Sequence, residues 1–251
     1  MSGLIFKANG CEITVNMADK AALFAALRER FARGQGFALA TLNLDHLVKM
    51  SRLQSFAQAY AAQDFVVADG NPVVWLSRLA RRPVSLLPGS ELVLPLAQLA
   101  AAQQVPVALF GASERSLARA AEVLCAKVPG LQIVCQIAPP MGFDPASPAA
   151  VTQLDALADS GAGLVFLALG APKQEVFAAI GRSRTPKLGF VSVGAGLDFL
   201  SGAQQRAPGW VRWLALEWAW RAAAAPLRLG PRYARCLVIL PRLLREALAL
   251  R

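Results

Sequence analysis

The sequence has one histidine, His46, and four cysteines (Cys11, Cys125, Cys135 and Cys236) with no C-x-x-C pair among them. That set does not supply the closely spaced nitrogen and sulfur ligands of a zinc site. The scattered cysteines read as reduced packing residues. No run reaches the ~18 uncharged apolar residues that span a bilayer. Met1 to Cys11 lacks a basic segment followed by an apolar one, so no secretory leader is expected and the chain is placed in the cytoplasm. No G-x-G-x-x-G follows an early strand and no G-x-x-x-x-G-K-[ST] occurs, which argues against dinucleotide and P-loop sites. An Asp-x-Asp pair, which would hold a divalent cation on a nucleotide diphosphate, is also absent. A diphosphate bound here would have to be neutralised by arginines and backbone dipoles.

What is present is an apolar chain of 251 residues, 55% hydrophobic and 17% charged, enough for one large α/β domain with a small appendage. Short apolar runs at Phe37–Leu42, Phe65–Ala68, Val105–Phe110, Leu131–Cys135, Leu164–Leu169 and Leu188–Val193 alternate with helical stretches of ten or more residues. That alternation calls for a mainly parallel sheet covered by helices on both faces, a Rossmann-like α/β fold. A leading hairpin is signalled by Asn9-Gly10 between Leu4–Phe6 and Glu12–Val15. Asn71 is expected to cap the helix after Phe65–Ala68, with Pro72 at its first position.

After Gly202 the strand pattern ends, and the rest reads as helix punctuated by Pro208, Pro226, Pro231 and Pro241. The expected division is therefore a core over 1–202 and a helical appendage over 203–251. From Ser201 onward there are nine arginines, no lysine and two acids, so the tail carries +7 of the net +10. It also holds Trp210, Trp213, Trp218 and Trp220. Arginine with interfacial aromatics fits an anionic membrane surface, and the leucines from Leu237 to Leu250 fit an amphipathic surface helix. The same tryptophans also fit a packing seam. A nucleic-acid partner is suggested only by net charge, because basic residues are not concentrated elsewhere.

Residues just beyond the carboxyl ends of parallel strands face the ligand crevice. Four such ends carry polar or flexible chemistry: Thr41-Leu42-Asn43, Ala68-Asp69-Gly70, Gly170 to Glu175, and Gly194 to Asp198. Asp69 is a carboxylate delivered by a rigid strand; its plain alternative is a turn cap. Gly170 and Lys173 stand at a helix start whose unpaired N–H groups suit a diphosphate, and Gly194 offers flexible backbone.

These motifs, followed in order by Arg206-Ala207-Pro208, Leu216-Glu217-Trp218, Arg221, Pro226-Leu227-Arg228 and Arg232-Tyr233, resemble the WecG/TagA/CpsF glycosyltransferases, glycosyltransferase family 26. The resemblance covers most of the chain. It implies transfer from a UDP-sugar to a polyprenyl-diphosphate-linked sugar on the cytoplasmic face of the bacterial plasma membrane, with inversion, no cofactor and no essential metal. It implies Asp69 as catalytic base and Thr41, Asn43 and Gln174 as pocket residues. It implies Asp198 at the nucleotide end, and Arg221, Arg228 and Arg232 as arginines of an appendage that closes over the site. One departure concerns the arginine that members often carry shortly before the glycine equivalent to Gly89: here the segment reads Ser85-Leu86-Leu87-Pro88, with Arg81 and Arg82 the nearest arginines. Glu91 also stands where an aspartate is common.

The sequence thus predicts an inverting hexosyltransferase of bacterial surface polysaccharide synthesis, peripheral on the membrane through its tail. N-acetylmannosamine is the first donor sugar, with UDP-glucose, UDP-glucuronic acid and N-acetylmannosaminuronic acid open, and homo-oligomer formation also open. A membrane-associated binding protein without turnover is the rival from another class. His46, on the helix after Asn43, reads more as a helix residue than a catalytic group, and Glu175 as a ligand contact or a first-turn residue complementing the helix dipole.

Overall fold

The computed structural model describes residues 3–205, 207–209, 211, 219–220 and 225–251, without the side chains of residues 226 and 228. A small antiparallel hairpin leads the chain, β1 (Leu4–Ala8) against β2 (Cys11–Val15). Its turn places both Asn9 (φ 45°) and Gly10 (φ 74°) in the left-handed region, as a two-residue hairpin turn requires. Then follow α1 (Lys20–Ala32), β3 (Phe37–Leu42), α2 (Leu44–Met50), α3 (Gln54–Ala61), β4 (Phe65–Ala68), α4 (Asn71–Leu79) and α5 (Gly89–Ala102). The second half runs β5 (Val107–Gly111), α6 (Glu114–Lys127), β6 (Ile133–Ile137), α7 (Pro148–Asp159), β7 (Leu164–Ala168), α8 (Lys173–Arg184), β8 (Gly189–Ser192) and α9 (Gly196–Ser201). A 24-residue helix, α10 (Pro226–Ala249), ends the chain.

Six strands form one sheet in the order β4-β3-β8-β7-β5-β6, every pairing parallel. Alternate strand residues feed opposite layers, the period-2 rule of a sheet buried on both faces. Phe37, Leu39, Phe65, Val67, Leu109, Phe166 and Val191 pack with α1, α5, α6 and α9. On the other face, Ala40, Leu42, Val66 and Ala68 pack with α2, α3, α4 and the hairpin. There too Phe110, Val165 and Phe190 pack with α7 and α8. Phe177 of α8 stacks on Phe110 with ring centroids 4.5 Å apart, which anchors α8 under β5.

Ser113 caps α6, its side chain accepting from Ser116 N. The cap after β4 differs from the sequence expectation. Gly70 (φ 131°) caps α4, while Asn71 is already helical and Pro72 lies in the first turn. Only glycine adopts that φ without strain, so the chain turns one residue earlier than an asparagine cap would allow.

Pro226 opens α10, but the two prolines after it do not divide the tail as the sequence suggested. Pro231 and Pro241 both lie inside α10. Each removes one backbone donor, but both residues are exposed, so the freed carbonyls face water. Leu243 and Ala247 are buried with Met50, Leu76 and Ala80, docking α10 on α2 and α4. Leu227, Leu237, Val238, Leu244 and Leu248 remain exposed. No helix among the described residues is long and apolar enough to cross a membrane.

Candidate active site at the carboxyl edge of the sheet

The helices after β3 and β8 leave on opposite faces, α2 on one and α9 on the other. Because β3 and β8 are neighbours, their carboxyl ends frame a crevice at a topological switch point, the usual ligand position in such sheets. Thr41 and Asn43 stand on one side of it and Gly194 on the other, with Asp69 one strand further out on β4.

Asp69 is half-buried at the carboxyl end of β4. Its N–H donates to Leu42 O at 2.8 Å, and its Oδ2 accepts from Thr41 Oγ1 at 3.2 Å. The side chain is therefore aimed by two strands, on the same edge as the glycine turns and outside the packed interior. Asp64, at the amino end of β4, shows the contrasting use of a carboxylate: it pairs with Arg30 at 3.0 Å and Arg182 at 2.9 Å and accepts from Ala38 N. Every oxygen of that group is committed to bracing the far edge.

The amino end of α5 closes one wall. A Cβ on Gly89 would lie 3.2 Å from Thr41 Cγ2, Ser192 O and Val193 Cα, so glycine permits the helix start to approach the strand ends. The sequence did not single out this role for Gly89. Just upstream, Leu86 bridges Ala68 and Leu87 N donates to Ala68 O at 2.8 Å. The segment lacking the family arginine thus runs beside the residue preceding Asp69. Arg82 does not replace it, since its Nη1 donates to Gly3 O at 2.9 Å.

Gln174 and Gly194 are brought together, but through each other. Gln174 is 2% exposed; its Oε1 accepts from Gly194 N at 3.1 Å and its Nε2 donates to Glu175 Oε1 at 2.8 Å. Gln174 N is used on Gly170 O. Gln174 N, one of the helix-start donors expected to meet a diphosphate, is therefore spent within its own turn, and Gly194 N is spent on Gln174. Lys173 is half-exposed at the start of α8, and Gly170 holds φ 73°. Glu175 is fully buried; burial pushes its carboxyl up to about 7, against the opposing pull of Gln174 and Lys49. Its Oε2 has no hydrogen-bond partner among the described residues.

Asp198 lies in the first turn of α9 and accepts from Gln204 Nε2 at 3.0 Å. Arg232 of α10 reaches the β3 side, where its Nη2 meets Asp45 Oδ2 at 3.0 Å. Lys49 meets the same oxygen at 3.1 Å and donates to Ala171 O. Helix α2, the turn before α8 and the appendage are thereby tied into one charged knot beside Asn43. Arg221 lies outside the described residues, as do Arg206, Arg212, Trp210, Trp213 and Trp218; Arg228 lies in α10 with its side chain undescribed. Trp220 is exposed. No group of three or more metal-ligating side chains occurs among the described residues. A groove of about 630 Å³ between α3, α7 and α8, lined by Gln58, Val151, Ile180 and Arg184, lies along the flank of the sheet. It gathers none of these groups.

The fold is thus a doubly wound parallel sheet with an oriented carboxylate on its carboxyl edge, one strand from the switch point. The chain belongs to the glycosyl transferase WecG/TagA/CpsF family, which matches residues 8–251. It is 30% identical over 170 residues to the N-acetylglucosaminyldiphosphoundecaprenol N-acetyl-beta-D-mannosaminyltransferase of Bacillus spizizenii, covering 67% of this chain and 63% of that protein. It is 26% identical over 195 residues to the protein of the same name from Bacillus subtilis (strain 168), covering 77% and 73%. The matched part thus spans less than two thirds of the first relative's length.

Proposed function

We propose that this protein transfers a sugar from a UDP-sugar to a polyprenyl-diphosphate-linked sugar, with inversion at the anomeric carbon. The observation that carries the reading is Asp69, held on the carboxyl edge one strand from the switch point by Leu42 O and Thr41 Oγ1. In the proposed step the Asp69 carboxylate takes the proton of the acceptor hydroxyl. The hydroxyl oxygen attacks the anomeric carbon from the face opposite the diphosphate, and the bond to that diphosphate breaks with its electron pair leaving on UDP. One carboxylate suffices, because inversion forms no covalent intermediate and a diphosphate departs without the general acid that an inverting hydrolase's second carboxyl supplies.

Charge accumulating on the leaving diphosphate calls for preorganised donors. Arg232 is the candidate nearest the described site, with Arg221 and Arg228 assigned the same role and Lys173 at the amino end of α8. Thr41 and Asn43 hold substrate; Gln174, with Gly170 and Gly194, shapes the pocket, and Asp198 stands at its nucleotide end. The appendage over 203–251 completes the site and rests on the inner face of the plasma membrane, with the exposed leucines and arginines of α10 against lipid.

N-acetylmannosamine is the donor sugar we name first and N-acetylglucosaminyl-diphospho-lipid the acceptor, as the names of the two relatives suggest. The test is a panel of UDP-sugars offered with a short-chain lipid-diphosphate N-acetylglucosamine acceptor, reading UDP release and product mass. UDP-N-acetylmannosamine is expected to give product. Turnover with UDP-glucose or UDP-glucuronic acid alone would reassign the donor, and no turnover with any sugar would refute transfer.

A further inference from the structure

We propose that His46, the only histidine in the chain, is a positioning residue: as the neutral tautomer with its proton on Nδ1, it fixes the Asn43 amide and the Thr41 carbonyl at the mouth of the crevice. This rests on the reading of Asn43 as a substrate contact, and it assigns a function to a side chain that the transfer step itself does not use.

The tautomer follows from counting donors. Asn43 Oδ1 accepts from His46 backbone N at 3.1 Å, which settles how the amide is turned. Its Nδ2 then faces His46 Nε2 at 3.3 Å. An amide NH₂ can only donate there, so Nε2 is the acceptor and carries no proton. On the other side of the ring, Nδ1 lies 2.7 Å from Tyr60 OH. The single hydroxyl proton of Tyr60 goes to Thr41 O at 2.9 Å, because a carbonyl can only accept. The tyrosine oxygen must therefore accept from Nδ1–H. Donation runs one way throughout, from Asn43 Nδ2 to His46, from His46 to Tyr60, and from Tyr60 to Thr41 O. A proton on Nε2 would set donor against donor at Asn43.

The surroundings hold the ring in this state. His46 and Tyr60 are both buried, with the Phe56 ring edge-on to the imidazole at 5.8 Å. Burial lowers the imidazole most. Lys49 on its own helix and Arg232 on α10 lower it further, while Asp45 and the Thr41 carbonyl oppose them, leaving it at about 3. The ring is accordingly neutral wherever the protein is folded near neutral pH. Asn43 is half-buried, and its second Nδ2 hydrogen has no partner among the described residues. That N–H is the group the relay presents to substrate.

The test is a long-range ¹H–¹⁵N correlation spectrum of the labelled full chain, where a sole histidine gives a single pattern. The expected pattern is a protonated Nδ1 and a bare Nε2, unchanged from about pH 5.5 to 8.5. An Nε2–H tautomer, or a ring titrating near its ordinary value, would overturn the proposal. Two substitutions carry it to activity. H46Q places a carbonyl oxygen within reach of the Asn43 amide and is expected to keep KM near wild type. H46N cannot, and is expected to raise the KM of one substrate about tenfold with kcat changed less than about threefold. An H46N enzyme with wild-type KM, or equal losses of kcat in both variants, would contradict a positioning role. Full turnover by Asp69→Asn would instead refute the transfer mechanism and leave the tautomer result standing. If either histidine variant fails to fold, the wild-type spectrum still decides.

Discussion

Burial drives the Glu175 carboxyl up to about 7 and the His46 imidazole down to about 3. Between 4.5 and about 7 the folded chain keeps a proton on Glu175 that the unfolded chain has released, so stability falls as pH rises through that window. Between about 3 and 6.5 the unfolded chain holds a proton on His46 that the folded chain lacks, so stability there rises with pH. The two slopes oppose each other where the windows overlap. Glu175→Gln keeps an oxygen to accept from Gln174 and removes only the first slope. Its melting temperature is expected to gain on wild type between about pH 5 and about pH 8, and a constant offset would contradict the burial argument. At Gly89 the added methyl meets backbone at Ser192 and Val193, which cannot swing aside as a side chain would. Gly89→Ala should destabilise by about 1 kcal/mol and weaken substrate binding through Thr41, checked by denaturant unfolding and KM.

Among the elements, α10 makes the contact that sequence patterning described least well. Its period was visible, and so was its amphipathic character, but two internal prolines argued for breaks. The breaks do not occur because those prolines face solvent while Leu243 and Ala247 bind the same core as Met50 and Leu76. Leu243→Ala should cost about 2–3 kcal/mol in urea unfolding, since α2 and α4 are both anchored to the sheet and cannot close fully on the void; a change under about 0.5 kcal/mol would mean α10 is only loosely held. The strands, by contrast, were legible to within two residues at most of their ends, because a strand buried on both faces writes itself as an uninterrupted apolar run. The Asn71 cap was misplaced for a reason no propensity contains: Gly70 takes a conformation that hands the helix start to the next residue.

At the scale of the whole molecule, the site was legible as a set of strand ends but not as a network. Asp69, Thr41 and Asn43 could be placed together because parallel strands share one carboxyl edge. That Gln174 faces inward, that burial raises the Glu175 carboxyl, and that His46 and Tyr60 link Asn43 to Thr41 all depend on packing between distant segments. Charge is laid out on the same scale: the basic tail ends in a helix with Leu237, Val238, Leu244 and Leu248 exposed beside Arg235, Arg242 and Arg245. Leu237→Glu with Val238→Glu should abolish sedimentation with vesicles rich in anionic lipid while leaving the fold's circular dichroism unchanged. Retained vesicle binding would move the membrane contact elsewhere. The account as a whole depends on Asp69 as the proton acceptor. Its most direct test compares UDP release by wild type and Asp69→Asn with a lipid-linked acceptor, alongside UDP-sugar binding by calorimetry. A fall in kcat of at least about 10² with binding within a few-fold is predicted. Turnover by Asp69→Asn within a few-fold of wild type would contradict it.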